Sequence, residues 1–424
     1  RRVLFRSMRF DTIIIGGGLA GLVCGLRLQE AGQKCAIVSA GQNAMHFFSG
    51  GFGLLAKLPD GTDVDTPLAA IPSLDATHPY AKIGAENIEK YAEETKRLFC
   101  TLGINVEGTA EQNRYVISAS GALKPVWLTI DDIASVSAKD EKIADNALIV
   151  NIDGFLDFNT AFIAESFEKR GTTCEITAVT TNEIRNLRRN PSEMRASNIA
   201  RIMDNAAART TFVNAVEAEL AEGKFDAVVL PAVFGLKNHE IVQAVREELG
   251  IKTLFIGTLP PSVPGIRSQM QMKRAFEAKG GTFLMGDEAV ASEIKDGKVT
   301  SVKTSNLGDI ELTADNYVLA SGSYFGHGII AEIDKVTEPV FGADVIFDND
   351  RGNWYDKNFF GKQNFIGFGV ATDDKFNVIK NGESIRNLYA AGSVLGGFNP
   401  LHEGCGAGVA IMTAFYISDS ILGK

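Results

Sequence analysis

Three glycines in a fixed rhythm carry the clearest chemistry in this sequence. Gly16-Gly17-Gly18-Leu19-Ala20-Gly21 reads G-x-G-x-x-G. It follows Phe10-Asp11-Thr12-Ile13-Ile14-Ile15, whose near-continuous apolarity suits a strand buried on both faces. After it, Leu19, Leu22, Val23, Leu26 and Ala31 recur on one side of a helix until Gly32, and Lys34-Cys35-Ala36-Ile37-Val38 reads as a second strand. Strand, glycine turn, helix and strand fit within about thirty residues, the context that gives the motif its meaning. Gly16 permits the tight turn, Gly18 lets the backbone approach a phosphate, and Gly21 lets the helix pack near the strand. Leu19 and Ala20 open the helix, where free N–H groups and the dipole favour an anion. The bland alternative is a glycine turn kept for close packing. The usual Asp or Glu that grips a ribose hydroxyl at the end of the second strand is missing, and Ser39 stands there. That tilts the expected ligand toward FMN, with FAD the alternative because the glycine motif is built for a pyrophosphate.

Two histidines stand near glycine-rich segments. His46 precedes Ser49-Gly50-Gly51, and His402 precedes Gly404 and Gly406 in a loop that opens a C-terminal helix. Both are candidates for proton transfer or flavin contact, against a packed or exposed loop. The His46 segment loosely resembles the histidine-to-glycine-pair stretch of succinate dehydrogenase and fumarate reductase flavoproteins. Its spacing is shorter, so non-covalent flavin is expected. His327 is a weaker candidate, while His78 and His239 read as surface residues. Ser321-Gly322 and Gly392-Ser393 each end a short strand in small residues and are expected to face the cofactor. Two arginines are candidates for an anion. Arg195 falls between Ile199 and Ile202 on a helix expected to open at Asn190-Pro191, which would bury it; the alternative is a structural arginine paired to a carboxylate. Arg267 follows the proline-rich loop 260–265 and is expected in a first helical turn, where the dipole disfavours a cation.

These groups need a scaffold of more than one domain, and 424 residues with 45% hydrophobic content can supply it. A net charge of −10 argues against a general nucleic-acid binder. Five cysteines without C-x-x-C spacing make zinc, iron–sulfur and disulfide frameworks improbable and point to a reducing cytoplasm. No apolar run approaches the roughly 18–20 residues of a membrane span. Residues 1–7 read as a non-native leader. Residues 8–60 and 286–424 are expected to form one discontinuous flavin-binding domain, interrupted by an inserted α/β domain over 61–285.

The ends of the chain resemble two-dinucleotide-fold flavoproteins, which gives the expected fold class: α/β, a Rossmann-like sheet with an inserted second α/β domain. Taken together, the segments 45–51, 193–201, 258–267 and 392–398 resemble the B-subunit family of anaerobic glycerol-3-phosphate dehydrogenases over residues 8–424. The resemblance implies a flavin subunit, commonly assigned FMN, working with a larger, FAD-bearing catalytic subunit. An iron–sulfur, membrane-anchoring subunit would tether the pair to the inner face of the cell membrane. Electrons from sn-glycerol 3-phosphate would pass to quinone, and dihydroxyacetone phosphate would be the product. Two other readings stay open: a self-sufficient FAD oxidoreductase of the fumarate-reductase type, and a flavoprotein-derived scaffold with little chemistry of its own.

Overall fold

The computed structural model describes residues 7–190 and 194–424. The expected leader therefore lies outside the described residues except for Ser7, as does the Pro191 of the expected helix start. Ser7 already belongs to a strand and pairs with Glu311. The chain divides into two compact units. One gathers residues up to Ala44 with Gly53–Leu98 and Met272–Lys424; the other comprises Met45–Phe52 and Phe99–Gln271.

In the first unit the β-branched strand Ser7–Ile15 lies at the centre of a mixed sheet, with Ile13 and Ile14 fully buried. Cys35–Ser39 runs parallel to it on one side, followed by Thr282–Met285. On the other side Glu311–Leu319 is parallel, and Glu383–Ala390 is parallel to that strand in turn. An antiparallel meander, Ala289–Lys295 with Lys298–Thr304, joins the same strand. This is a Rossmann-like α/β sheet. Helix Leu19–Glu30 packs beside helix Gly406–Ile421, where Arg27 Nη2 reaches Asp419 Oδ1 at 3.1 Å. Chain order reverses between Ser7–Ile15 and Glu311–Leu319. The carboxyl ends at that switch are where open α/β sheets bind ligands.

The second unit carries a parallel four-stranded sheet in the order Thr173–Val179, Asn146–Ile152, Ala227–Pro231, Lys252–Ile256. Two three-stranded antiparallel sheets accompany it.

The units divide the chain differently from the sequence-based boundaries. Residues 61–98 join the first unit, where Tyr91 stacks on Phe415 with ring centroids 5.6 Å apart and Lys82 Nζ donates to Thr372 O at 2.9 Å. Thr282–Met285 joins it too, as an extra parallel strand with Phe283 opposite Ile37. Residues 45–52 go the other way, because Gly51 and Phe52 pair with Thr129 and Leu128. Among the described residues, no helix is long and apolar enough to cross a membrane.

Candidate functional site

At the switch point the glycines are held by sterics that other residues would violate. Gly16 has φ +120°, and a Cβ on it would lie 2.0 Å from the carbonyl oxygen of Ala320. A Cβ on Gly21 would lie 1.9 Å from the carbonyl oxygen of Gly16. A Cβ on Gly17 would meet Ser39 Oγ at 2.5 Å. Gly18 differs: its Cβ would find nothing nearer than Asn43 at 3.7 Å, so its outer face is open. Gly18 is also the N-cap of helix Leu19–Glu30, and no side chain caps that turn. Asn43 Nδ2 donates to Gly17 O at 3.1 Å and pins the turn from outside. Ser39 is buried, and its carbonyl accepts the N–H of Gly286 at 2.7 Å.

The opposing edge comes from the later strands. Ser321 Oγ is buried without a hydrogen-bond partner, and so is the hydroxyl of Tyr324 three residues on. Burial pushes the Tyr324 hydroxyl up to about 12. Gly322 and Gly392 both have positive φ, +85° and +74°. A Cβ on Gly322 would lie 3.8 Å from Ser393 Oγ, and one on Gly392 would lie 3.0 Å from Ala20 Cβ. Gly16, Gly17, Gly18, Leu19, Ala20, Gly21, Ser39, Ser321, Gly322, Gly392 and Ser393 are thus gathered at one end of one sheet. An open glycine at an uncapped helix N-terminus, with an orphaned buried hydroxyl at the same end of the sheet, fits a phosphate-bearing flavin. Those residues would hold it.

Gly404 and Gly406 serve a neighbouring purpose. The loop they belong to is pinned to residues 53–57: Ala56 N–H donates to Glu403 O at 2.8 Å and Gly408 N–H to Gly53 O at 2.8 Å. His402 is half-buried. Its Nε2 has no hydrogen-bond partner, and its ring lies about 3.9 Å from where a Cβ on Gly61 would stand. Its neighbour Glu403 is buried and meets His78, which is also buried and not on the surface as its polar sequence neighbours suggested. The legible signal was His78 itself, an N-cap immediately before Pro79 at the first helical position. His327 is exposed.

The remaining candidates lie in the second unit. His46 Nε2 is 3.2 Å from Gln269 Oε1. Ser49 Oγ accepts from Lys124 Nζ at 3.3 Å, and Gly50 packs on Ile133, where a Cβ would come within 2.4 Å. Gly51 lies in a strand beside Thr129.

The two arginines depart from expectation in opposite ways. Arg195 is exposed, not buried, because the helix begins at Ala196 and Arg195 is its N-cap. Ala196, Ile199, Ala200 and Met203 form the buried stripe, and Arg195 precedes it. Its charge lies near Asp157, whose carboxyl burial pushes up and Arg195 pulls back down. Arg267 is buried and belongs to helix Val263–Ala278, past the first turn. Its anion is internal: Nη2 meets Asp132 Oδ2 at 2.5 Å, and Nη1 donates to Gly235 O at 2.8 Å. His239, expected at the surface, is half-buried, with Nε2 2.8 Å from Asp131 Oδ1.

The FAD binding domain family matches residues 11–409. The B subunit of anaerobic glycerol-3-phosphate dehydrogenase from Pectobacterium atrosepticum is 40% identical over 418 residues, covering 98% of this chain and 99% of the relative. The protein of that name from Yersinia pseudotuberculosis is 38% identical over 421 residues, covering 98% and 99%. Among solved structures, 3-ketosteroid-delta4-(5alpha)-dehydrogenase from Rhodococcus jostii is similar with a TM-score of 0.43 and 10% identity, over 99% of this chain and 98% of that one. The family match supports FAD and gives no support to FMN as first choice.

Proposed function

Because the chain belongs to the B-subunit family of anaerobic glycerol-3-phosphate dehydrogenases and carries an FAD-binding domain, we propose that it is an FAD-containing oxidoreductase subunit supporting oxidation of sn-glycerol 3-phosphate to dihydroxyacetone phosphate. The observation that carries this reading is the open, uncapped Gly18 turn, at the same end of the sheet as the unpartnered Ser321 hydroxyl. When bound, the flavin supplies a two-electron acceptor for the hydride of an alcohol.

The chain's own residues have four tasks. The N–H groups opening helix Leu19–Glu30 hold the phosphates, and Gly18 lets the backbone approach them. Ser39, in place of an acidic side chain, gives the ribose one hydrogen bond. Ser321 donates its free O–H to the cofactor. His402 is the stronger candidate for taking the substrate hydroxyl proton, because its Nε2 is buried with no partner, whereas His46 Nε2 faces Gln269. In this reading the flavin is held non-covalently, and the engagement of His46 Nε2 with Gln269 supports it.

The cysteine spacing offers no cluster ligands. Electrons bound for quinone therefore leave through two partners. One is a catalytic, FAD-bearing subunit, and the other is an iron–sulfur subunit that holds the assembly at the inner face of the cell membrane. The test is to denature the purified chain with acid and chromatograph the released flavin. FAD released at near-unit ratio supports the reading. FMN alone overturns the cofactor assignment, and no flavin after reconstitution with either one overturns the whole.

A further inference from the structure

Outside the flavin-binding edge, three metal-ligating side chains converge inside the second unit. Asp131 and Asp132 follow the strand Leu128–Ile130, and His239 is the N-cap of helix Glu240–Leu249. One ligand atom from each lies within 4.8 Å of the others. They line a cavity of about 10 Å³ together with Asn105, Ser268 and Gln271. That is about the room one water or one small ion takes.

Asp132 Oδ1 is a buried atom without a hydrogen-bond partner. His239 Nε2 and Asp131 Oδ1 are 2.8 Å apart and pair with each other in the metal-free chain; a cation bound between them would take the place of the shared proton. Asp132 is 2% exposed, and its other oxygen is taken by Arg267. Arg267 is fixed in turn by Phe234 O at 3.3 Å and Gly235 O at 2.8 Å. This leaves Oδ1 directed to the cavity, the arrangement in which an outer partner orients a ligating carboxylate. Arg246 directs its hydrogen bond to the main-chain carbonyl of Asp131, at 2.8 Å, and not to the carboxylate.

We propose that Asp131, Asp132 and His239 bind one divalent cation of the zinc class, with water completing the coordination. One imidazole and two carboxylates suit such an ion better than magnesium or calcium, which prefer all-oxygen shells. The ion ties the turn at 131–132 to the start of helix Glu240–Leu249, so its work is to staple the second unit. It has no part in the flavin reading above.

The full chain, purified without a metal-binding tag and stripped with chelator, is titrated with zinc chloride and followed by elemental analysis and thermal melting. About one equivalent of zinc should survive gel filtration and raise the melting temperature by several degrees. His239→Gln leaves the Arg267–Asp132 pair intact, so the apo fold should persist by circular dichroism, while zinc affinity falls at least about tenfold. Asp131→Asn should act in the same direction. Equal zinc uptake by wild type and H239Q, or no uptake and no shift in the wild type, overturns the site and leaves the cavity to a water molecule.

Discussion

His78 Nε2 and Glu403 Oε2 meet at 3.0 Å with both side chains buried, although 325 positions separate them in the chain. The other ring nitrogen, Nδ1, accepts the N–H of Tyr80 at 3.0 Å. A neutral ring must therefore carry its proton on Nε2 and donate it to the carboxylate. Glu403 Oε1 accepts the N–H of Asn399 at 2.8 Å, so the carboxylate folds its own loop as well. The pair ties the N-cap of helix Pro79–Ile83 to the glycine loop that opens the C-terminal helix.

Removing the imidazole leaves a buried carboxylate short of one donor. His78→Ala should destabilise the chain by about 2–4 kcal/mol, and His78→Gln, which keeps an N–H donor, should recover part of that. Urea denaturation of the two variants beside the wild type measures it. A loss below about 0.5 kcal/mol in H78A would remove the pair from the account of what holds this loop.

Gly18 and Gly21 belong to one motif but answer to different constraints, and alanine separates them. The Cβ of Gly18→Ala meets nothing closer than Asn43 at 3.7 Å, whereas that of Gly21→Ala lies 1.9 Å from a backbone carbonyl. G18A should keep the wild-type melting temperature and lose flavin, because its methyl occupies the open face. G21A should lose stability by about 2 kcal/mol or more through backbone displacement. Flavin-to-protein ratio by absorbance, with melting curves alongside, checks both. A G18A protein that retains full flavin would show that the phosphates lie elsewhere.

The first βαβ unit was legible because every local signal agreed: Ile13 to Ile15, the glycine turn, the helical stripe and Gly32. The ends of the strands Glu311–Leu319 and Glu383–Ala390 were legible too, because each apolar run gives way to serine and glycine. What the sequence concealed depended on contacts across long separations. His78 before Pro79 could be read as an N-cap, but its carboxylate partner lies far away in sequence, so its burial could not. Arg195 was misplaced because the helix begins six residues after Asn190, which shifts the apolar stripe away from it. Arg267 was read as a candidate ligand for an external anion because Asp132, its counter-ion, lies 135 positions earlier. Ring and guanidinium partners chosen by tertiary packing leave no trace in helical periodicity.

Cysteine reactivity should follow burial closely. Burial pushes the Cys24 thiol up to about 12 and drives Cys35 and Cys405 upward as well. Cys174, partly exposed, is raised by burial to about 11. Cys100 is exposed. A thiol with a raised folded value stays protonated, so its reactive form is scarce at pH 8 and it does not penalise folding there; the penalty begins only as pH climbs past the unfolded value of about 8.5. Iodoacetamide at pH 8 should label Cys100 first, Cys174 slowly, and the other three only after unfolding, as read by peptide mass spectrometry. Fast labelling of Cys24 or Cys405 in the native chain would contradict their burial.

The two arginines that the sequence offered as anion ligands should now part company. Arg267 has its full complement inside the fold, with Asp132 and two carbonyl oxygens. Truncating it leaves the Asp132 carboxylate buried and uncompensated, so Arg267→Ala should cost about 3–5 kcal/mol, and Arg267→Lys, which keeps the charge but not the fork, should cost less. Arg195 stands exposed at a helix N-cap without a side-chain capping bond. Arg195→Ala should change stability by no more than about 0.5 kcal/mol. If the substrate phosphate binds at Arg195, the same variant should raise KM for glycerol 3-phosphate about tenfold in the reassembled enzyme, one charge-assisted contact being worth roughly 1.5 kcal/mol. An R195A enzyme with unchanged KM would place the phosphate elsewhere. An R267A chain that melts with the wild type would mean that the buried pair contributes nothing to the second unit.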